Sequence, residues 1–352
     1  MAPPEVVPSV NDRSVRPRSR RFGSPEPEAP TSGHNRWVIV VCGEALIDFA
    51  PDGGPQERYV PHPGGGPFNT AVALGRLEVE VAFLGRLSTD PFGRRLRRHL
   101  VDNGVDPRFI VEGAEPTTLA LVALSDEGQA TYSFYLDGTA GGGLRREHLP
   151  DPLPDAVAAL HLGSLAVVLE PSASTLEHLV EHEHGARVVS LDPNIRPAVI
   201  DDRDAYRQRV ERLVARADLV RVSRDDLVWL DPAEPAVVAR RWLDAGAALV
   251  VVTSGDEGAT AYHRSGAVSV AAQPVELVDS IGAGDAFNAG LLAWLHRQGQ
   301  LDRDEIEALS AGDLGDALRF AGRVAALTCA RAGADPPRLA ELAGEASAPE
   351  VI

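Results

Sequence analysis

The chain has 352 residues, 44% of them hydrophobic, and a formal net charge of −17. That length suits one large α/β domain or two ordinary ones, and the acidic balance argues against a nucleic-acid surface, which has to be basic. All 34 basic side chains are arginine, which disfavours P-loop and protein-kinase chemistry, both of which place a lysine on the phosphates, and Schiff-base chemistry as well.

Residues 1–36 are rich in Pro, Arg, Ser and Glu without apolar periodicity, and read as a disordered N-terminal tail. No secretory apolar core precedes the ordered part, and no run approaches the roughly 20 apolar residues of a membrane span. Cys42 and Cys329 sit in apolar surroundings and read as separate buried thiols of a cytoplasmic protein.

Order begins at "WVIVVCGEALIDFAP" (37–51), an apolar run that predicts a buried strand with Asp48 at its end. Runs of the same kind follow at 81–85, 158–163, 187–194, 218–223 and 248–255, and helical patterns lie between them at 67–77, 91–104, 172–185 and 236–246. This alternation predicts βαβ units around a mainly parallel sheet, whose strands are buried on both faces. Two stretches, 55–64 and 117–138, instead show strand-like alternation with turn residues such as "SDEGQ". They predict a small separate sheet over the mouth of the main one. Residues 341–352 read as a loose C-terminal tail.

"ELVDSIGAGDAFNAGLLAWL" (276–295) places a turn before an apolar-periodic helix. Gly282 and Gly284 permit a tight turn with exposed amides, and amides at a helix start form an anion cradle. Asp285 would repel a resting phosphate there, which suggests that it accepts a proton from an attacking alcohol. On the tetrapeptide alone, a glycine-bent turn with Asp285 as helix cap is the alternative.

A second glycine cluster, "HPGGGPFNTAVALGRL" (62–77), lacks the third glycine of a dinucleotide fingerprint. Its backbone and Asn69 suit a neutral polyol, and Asp48 can accept two hydroxyl hydrogen bonds. Further strand-end segments are "DPNIRP", with Asn194 and Arg196 for oxygen recognition, "TSGDEG" (253–258), and "SRDD" (223–226), where Asp226 suits Mg²⁺ held through water. Each alone also fits an ordinary connection, but a parallel sheet gathers them on one rim. His178 and His182 are spaced i, i+4 in a polar helix end and read as solvated surface.

The two glycine segments, in this order and separation, resemble the two signatures of the PfkB (ribokinase-like) family of carbohydrate kinases. The resemblance covers about residues 37–340, and "GEALIDF", "PTTLALVAL", "FYLDGTA" and "DPNIRP" are most similar to the fructokinase branch. It implies a three-layer α/β/α sandwich with a mainly parallel central sheet and a β-sheet lid. It further implies Asp285 as base, with the backbone of Gly282, Ala283 and Gly284 as anion hole. Asp48, Gly65, Gly66 and Asn69 would then meet the sugar, while Ser223, Thr253, Gly255 and Gly258 would lie by the nucleotide. Asp279 matches a position that serves a monovalent cation such as K⁺. Departures from the family pattern are Ser280 for Thr, Ser223 and Asp226 in place of Asn-x-x-Glu, Leu136 for Arg, and Gly322 for Asn.

The resulting expectation is a homodimeric kinase, paired through its lid, that uses ATP and Mg²⁺ to phosphorylate a free sugar, with fructose foremost. The alternatives are a 2-keto-3-deoxygluconate kinase, a nucleoside kinase, and a non-catalytic sugar- or nucleotide-binding protein.

Overall fold

A computed structural model describes residues 38–51, 58–124 and 130–343. The N-terminal tail, the "SDEGQ" turn, residues 55–57 of the expected lid segment, and the last nine residues of the C-terminal tail lie outside the described residues.

Ten strands form the main sheet. They are β1 (Val38–Cys42), β4 (Val81–Ser88), β5 (Val105–Asp106), β6 (Ile110–Gly113), β9 (Val157–Gly163), β10 (Val188–Asp192), β11 (Leu219–Ser223), β12 (Leu249–Thr253), β13 (Ala259–His263) and β14 (Gly266–Val270). Their order is β14-β13-β12-β11-β10-β9-β1-β4-β5, with β6 also paired to β4. Every pair from β4 to β12 is parallel. The exception to the parallel expectation is one edge, where β13 and β14 add an antiparallel hairpin.

The helices are α1 (Gly66–Arg76), α2 (Pro91–Asp102), α3 (Ser172–Glu183), α4 (Arg203–Val214), α5 (Arg224–Leu230), α6 (Pro235–Ala245), α7 (Ala283–Arg297), α8 (Arg303–Glu307), α9 (Ala311–Cys329) and α10 (Leu339–Ala343). Strand β1 shows why its sequence lacks polar alternation: Ile39 and Val41 pack toward α1, α7 and α9, whereas Val38, Val40 and Cys42 pack toward α3, α4 and α6. Both faces are dry, so every position is apolar. Burying each such side chain stabilises the fold by about 1.5–3 kcal/mol against exposure.

The run 37–51 is not one strand. It breaks at Gly43–Ala45, and the second half forms β2 (Leu46–Pro51) of a separate sheet with β3 (Tyr59–Gly64), β7 (Leu119–Leu124) and β8 (Ala130–Tyr135), in the order β3-β2-β7-β8. The lid therefore has a central strand that the apolar run concealed. Asp48 is the third residue of that lid strand, paired with His62 and Ala120, and does not end a strand of the main sheet. At the break, Gly43 has φ 156°, and a Cβ there would lie 2.4 Å from Cγ of Pro67, so only glycine lets the chain pass this close to the start of α1. Two smaller expectations also change. Cys329 is half-buried, although both thiols are free as expected, and residues 341–343 belong to α10.

One carboxylate ties the lid to the main body. Asp90 caps α2 by accepting from the Gly93 amide at 2.7 Å, and it also accepts from the Thr117 amide at 2.8 Å and the Thr117 hydroxyl at 2.7 Å, just before β7. We expect Asp90→Ala to lose about 1–2 kcal/mol, the usual worth of a helix cap, read as a lower urea midpoint with an unchanged slope.

Candidate functional site

Strands β1, β4 and β9 to β12 run in one direction, so their carboxyl ends share a rim, where ligands of open parallel sheets bind. A cavity of about 230 Å³ lies between this rim and the lid. The lid contributes Asp48, Tyr132 and Phe134 to its wall; Gly65, Gly66 and Asn69 come from the start of α1; Asn194 and Arg196 follow β10; residues 280–282, 284 and 285 close it. The two glycine segments, more than 200 positions apart in sequence, thus meet across one hollow.

Asp285 faces that hollow from the first turn of α7. Its side chain accepts from Asn69 Nδ2 at 2.9 Å and from Asn194 Nδ2 at 3.2 Å. The residue is 7% exposed, and burial pushes its carboxyl up to about 7; the nearby Asp192 charge adds to this, while the Asn69 hydrogen bond, Arg196 and Arg221 pull it down. Asp48 is likewise pushed up to about 6 by burial, against the pull of Arg196. Arg196 Nη1 donates to the Asn194 carbonyl, the Asn194 side-chain oxygen and the Ile195 carbonyl, at 3.2, 2.8 and 3.1 Å. It therefore locks the turn that carries Asn194.

The helix start differs in one detail from the expected anion hole. Gly282 adopts the left-handed conformation, φ 76°, and the Ala283 amide turns back to the Ser280 carbonyl at 3.2 Å. The amides of Gly282, Gly284 and Asp285 have no hydrogen-bond partner among the described residues. A three-amide cradle survives, shifted by one residue at its end. Asp279 shapes the turn from behind, accepting from the Ile281 amide at 3.0 Å and the Gly333 amide at 2.8 Å.

The remaining expected residues surround the rim outside the cavity. Ser223 caps α5 by accepting from the Asp226 amide at 3.0 Å, and Asp226 accepts from the Ile195 amide at 3.2 Å. Burial raises the Asp226 carboxyl. Thr253 accepts from Arg221. Gly255 has open space where a side chain would go, whereas at Gly258 a Cβ would lie 2.1 Å from the Val270 carbonyl oxygen, so this glycine serves the β13–β14 hairpin. His178 and His182 lie against each other with their rings tilted by 60°, and no cluster of three or more potential metal ligands occurs among the described residues. Asp226 has Asp192 as a nearby carboxylate, and one or two carboxylates suit a hard cation that keeps most of its water. No helix among the described residues is long and apolar enough to cross a membrane.

Sequence reasoning missed several residues. Glu44 is fully buried at the cavity wall; its Oε2 accepts from the Ala166 amide at 3.0 Å, its Oε1 has no hydrogen-bond partner among the described residues, and burial raises its carboxyl. Ser164 lines the cavity with φ 57°, a strained value for a residue with a side chain. Asp192 and Arg221 form a buried pair at 3.0 Å. The one advance signal was an arginine inside the apolar run "DLVRVS".

The pattern of the family described as pfkB family carbohydrate kinase matches residues 38–340. A fructokinase of Rhizobium leguminosarum bv. trifolii is 40% identical over 275 residues, 77% of this chain and 84% of that protein. The crystal structure of a Xylella fastidiosa fructokinase with bound ATP superposes with a TM-score of 0.81 at 30% identity, covering 88% of this chain and 99% of that one. A Vibrio cholerae O395 fructokinase in its fructose-, ADP- and calcium-bound form gives 0.75 at 30% identity, covering 85% and 95%.

The raised Asp285 carboxyl makes a stability prediction. Its folded value of about 7 lies above the unfolded one, so the folded state binds the proton more tightly and loses stability as pH rises toward and through 7. Asp285→Asn should be more stable than wild type at pH 8 by about 1–3 kcal/mol. That gain should shrink as pH falls toward 4, in urea titrations at several pH values.

Proposed function

This chain belongs to the pfkB family of carbohydrate kinases, and from that premise we propose that it transfers the γ-phosphoryl group of ATP to a hydroxyl of fructose. The observation that carries this reading is the aim of Asp285, whose carboxylate faces the cavity between two side-chain amides and beside three unpaired backbone amides. The fructokinase relatives support the acceptor.

In the mechanism, Asp48 accepts sugar hydroxyls, and Asn69, Asn194 and the bare backbone of Gly65 and Gly66 shape the floor. Arg196 stays paired with the Asn194 turn and offers its charge to the sugar's oxygens. Asp285 takes the proton of the attacking hydroxyl as that oxygen bonds to the γ-phosphorus and the bond to ADP breaks. A carboxyl near 7 suits a general base, because it is ionised in a large fraction at neutral pH and still basic enough to hold the proton. The amides of Gly282, Gly284 and Asp285, at the positive end of a 15-residue helix, stabilise charge on the moving group. Ser223, Thr253 and Gly255 flank the nucleotide. Asp226 would hold Mg²⁺ through water, and the ion would supply neutralisation of phosphate charge. Asp279 braces the cradle, beside a K⁺ ion where one is used. The lid excludes water, which otherwise competes as acceptor.

The lid's edge strands β3 and β8 expose Tyr59, Val60 and Tyr135, the last at 59%. Open apolar edges are covered in stable proteins, which supports a homodimer through the lid. Tyr135→Arg should shift the sedimentation coefficient from dimer toward monomer.

Activity is tested with ATP and a panel of fructose, other hexoses, 2-keto-3-deoxygluconate and nucleosides, read by ADP release. Fructose should give the highest kcat/KM; ligand binding without ADP from any acceptor would leave a non-catalytic binding protein. Asp285→Asn should lower kcat at least about a hundredfold while keeping sugar affinity, and near-normal turnover would remove Asp285 from the chemistry.

A further inference from the structure

Beneath the first turn of α7 lies a charged pair outside the roles assigned so far. Arg221 projects from the middle of β11 and is 6% exposed; Asp192 ends β10 and is 2% exposed. Arg221 Nη1 donates to Asp192 Oδ2 at 3.0 Å, and Nη2 donates to the Thr253 hydroxyl at 2.5 Å. The guanidinium packs directly on Gly284, where a Cβ would lie 2.8 Å from Nη1 and 3.1 Å from Nη2. Asp192 Oδ2 also accepts from Asn288 Nδ2 at 2.6 Å, and its Oδ1 accepts from the Asn194 amide at 3.1 Å. Asn194, held there at φ 40°, reaches back to Asp285.

We propose that the Arg221–Asp192 pair is the positioning element of the catalytic carboxylate: through Asn194 it fixes where Asp285 points, and its two opposite buried charges together set the pH at which Asp285 acts as a base. The inference rests on Asp285 being that base.

A guanidinium pressed against the positive end of a helix is an unfavourable neighbour unless an anion balances it. Asp192 supplies one charge of balance. Arg221 Nε remains without an acceptor among the described residues, and the first turn of α7 still presents unpaired amides. At Asp285 the Asp192 charge outweighs that of Arg221, and the arginine offsets part of it. Asp192 alone acts in the opposite sense, since a second carboxylate nearby disfavours ionisation. The charged and titratable groups around Asp285 are Asp192 from the end of β10, Arg196 beyond it, Arg221 from β11, and Tyr132 from β8. The contacts from α1, by Asn69 and Thr70, are neutral. Of the two arginines, only Arg221 pairs with the carboxylate that opposes ionisation, so its removal both deletes a cation and leaves that carboxylate unbalanced.

The signs follow. Losing Arg221 raises the pH at which Asp285 ionises; losing Asp192 lowers it. The experiment is the pH profile of kcat/KM for fructose at saturating MgATP, taken for wild type, Arg221→Met, Arg221→Lys and Asp192→Asn under identical nucleotide conditions. For Arg221→Met the acid limb should move up by about one pH unit, giving about fivefold less activity at pH 7 that is recovered by about pH 9. For Asp192→Asn the limb should move down by about half a unit or more, with a lower plateau because Asn194 is released; Arg221→Lys should stay within about 0.3 units of wild type. A bracing role without charge control lowers activity by one factor at every pH, and that result for both Arg221→Met and Asp192→Asn overturns the proposal. So do shifts of the same sign. Should Arg221→Met not fold, Asp192→Asn and Arg221→Lys decide it, and an unmoved limb in Asp192→Asn is fatal. Wild type that turns over no sugar instead refutes the functional reading, which separates the two failures.

Discussion

Burying a carboxylate at the N-terminal end of α7 is the constraint around which the rim is arranged. Taking Asp285 out of water costs free energy in its charged form, and the cost is met by groups from three separate elements: an amide from α1, an amide and a guanidinium from the turn after β10, and another guanidinium from β11. None of these satisfies the carboxylate completely, so its affinity for a proton stays high. A group tuned in this way is a poor stabiliser of the fold and a good acceptor of a hydroxyl proton. With Asp285 in its proposed role, stability and activity therefore pull in opposite directions at this one position.

Backbone strain falls in the same place. Three non-glycine residues have positive φ among the described residues, and two of them, Ser164 and Asn194, line the cavity at the ends of the adjacent strands β9 and β10. Asn194 is over-determined: Asp192 holds its amide, Arg196 holds its carbonyl and side-chain oxygen, and its own amide group holds Asp285. Such conformations persist where neighbouring contacts outweigh a cost of about 1–3 kcal/mol. Strain here holds the Asn194 side chain between Arg196 and Asp285 at the cavity wall.

The absence of lysine gives these interactions a particular character. Every cation of the site is a guanidinium, which cannot lose its proton near neutral pH and which forks between partners. Arg196 spreads over three acceptors, and Arg221 over Asp192 and Thr253. In a chain with a net charge of −17, an anionic nucleotide is favoured only by local positive potential. The start of α7 and these two arginines provide it.

From the sequence alone came the alternation of apolar runs and helical patterns, hence the parallel sheet, and the glycine-rich turns that carry Asn69 and Asp285. These follow from local rules: a strand dry on both faces must be apolar throughout, and a helix start with bare backbone leaves amides unpaired. Tertiary structure alone decided that 37–51 divides between two sheets, because an apolar run carries no mark of which sheet will cover it, and the close approach that demands glycine at 43 is to Pro67 of α1. It also decided which amides of the turn are free, since one is spent within the turn itself, and which groups the arginine inside "DLVRVS" meets. The worth of a buried charge depends on partners brought together from distant segments, and for Arg221 those partners are Asp192, Thr253 and Gly284, none of them near it in the chain.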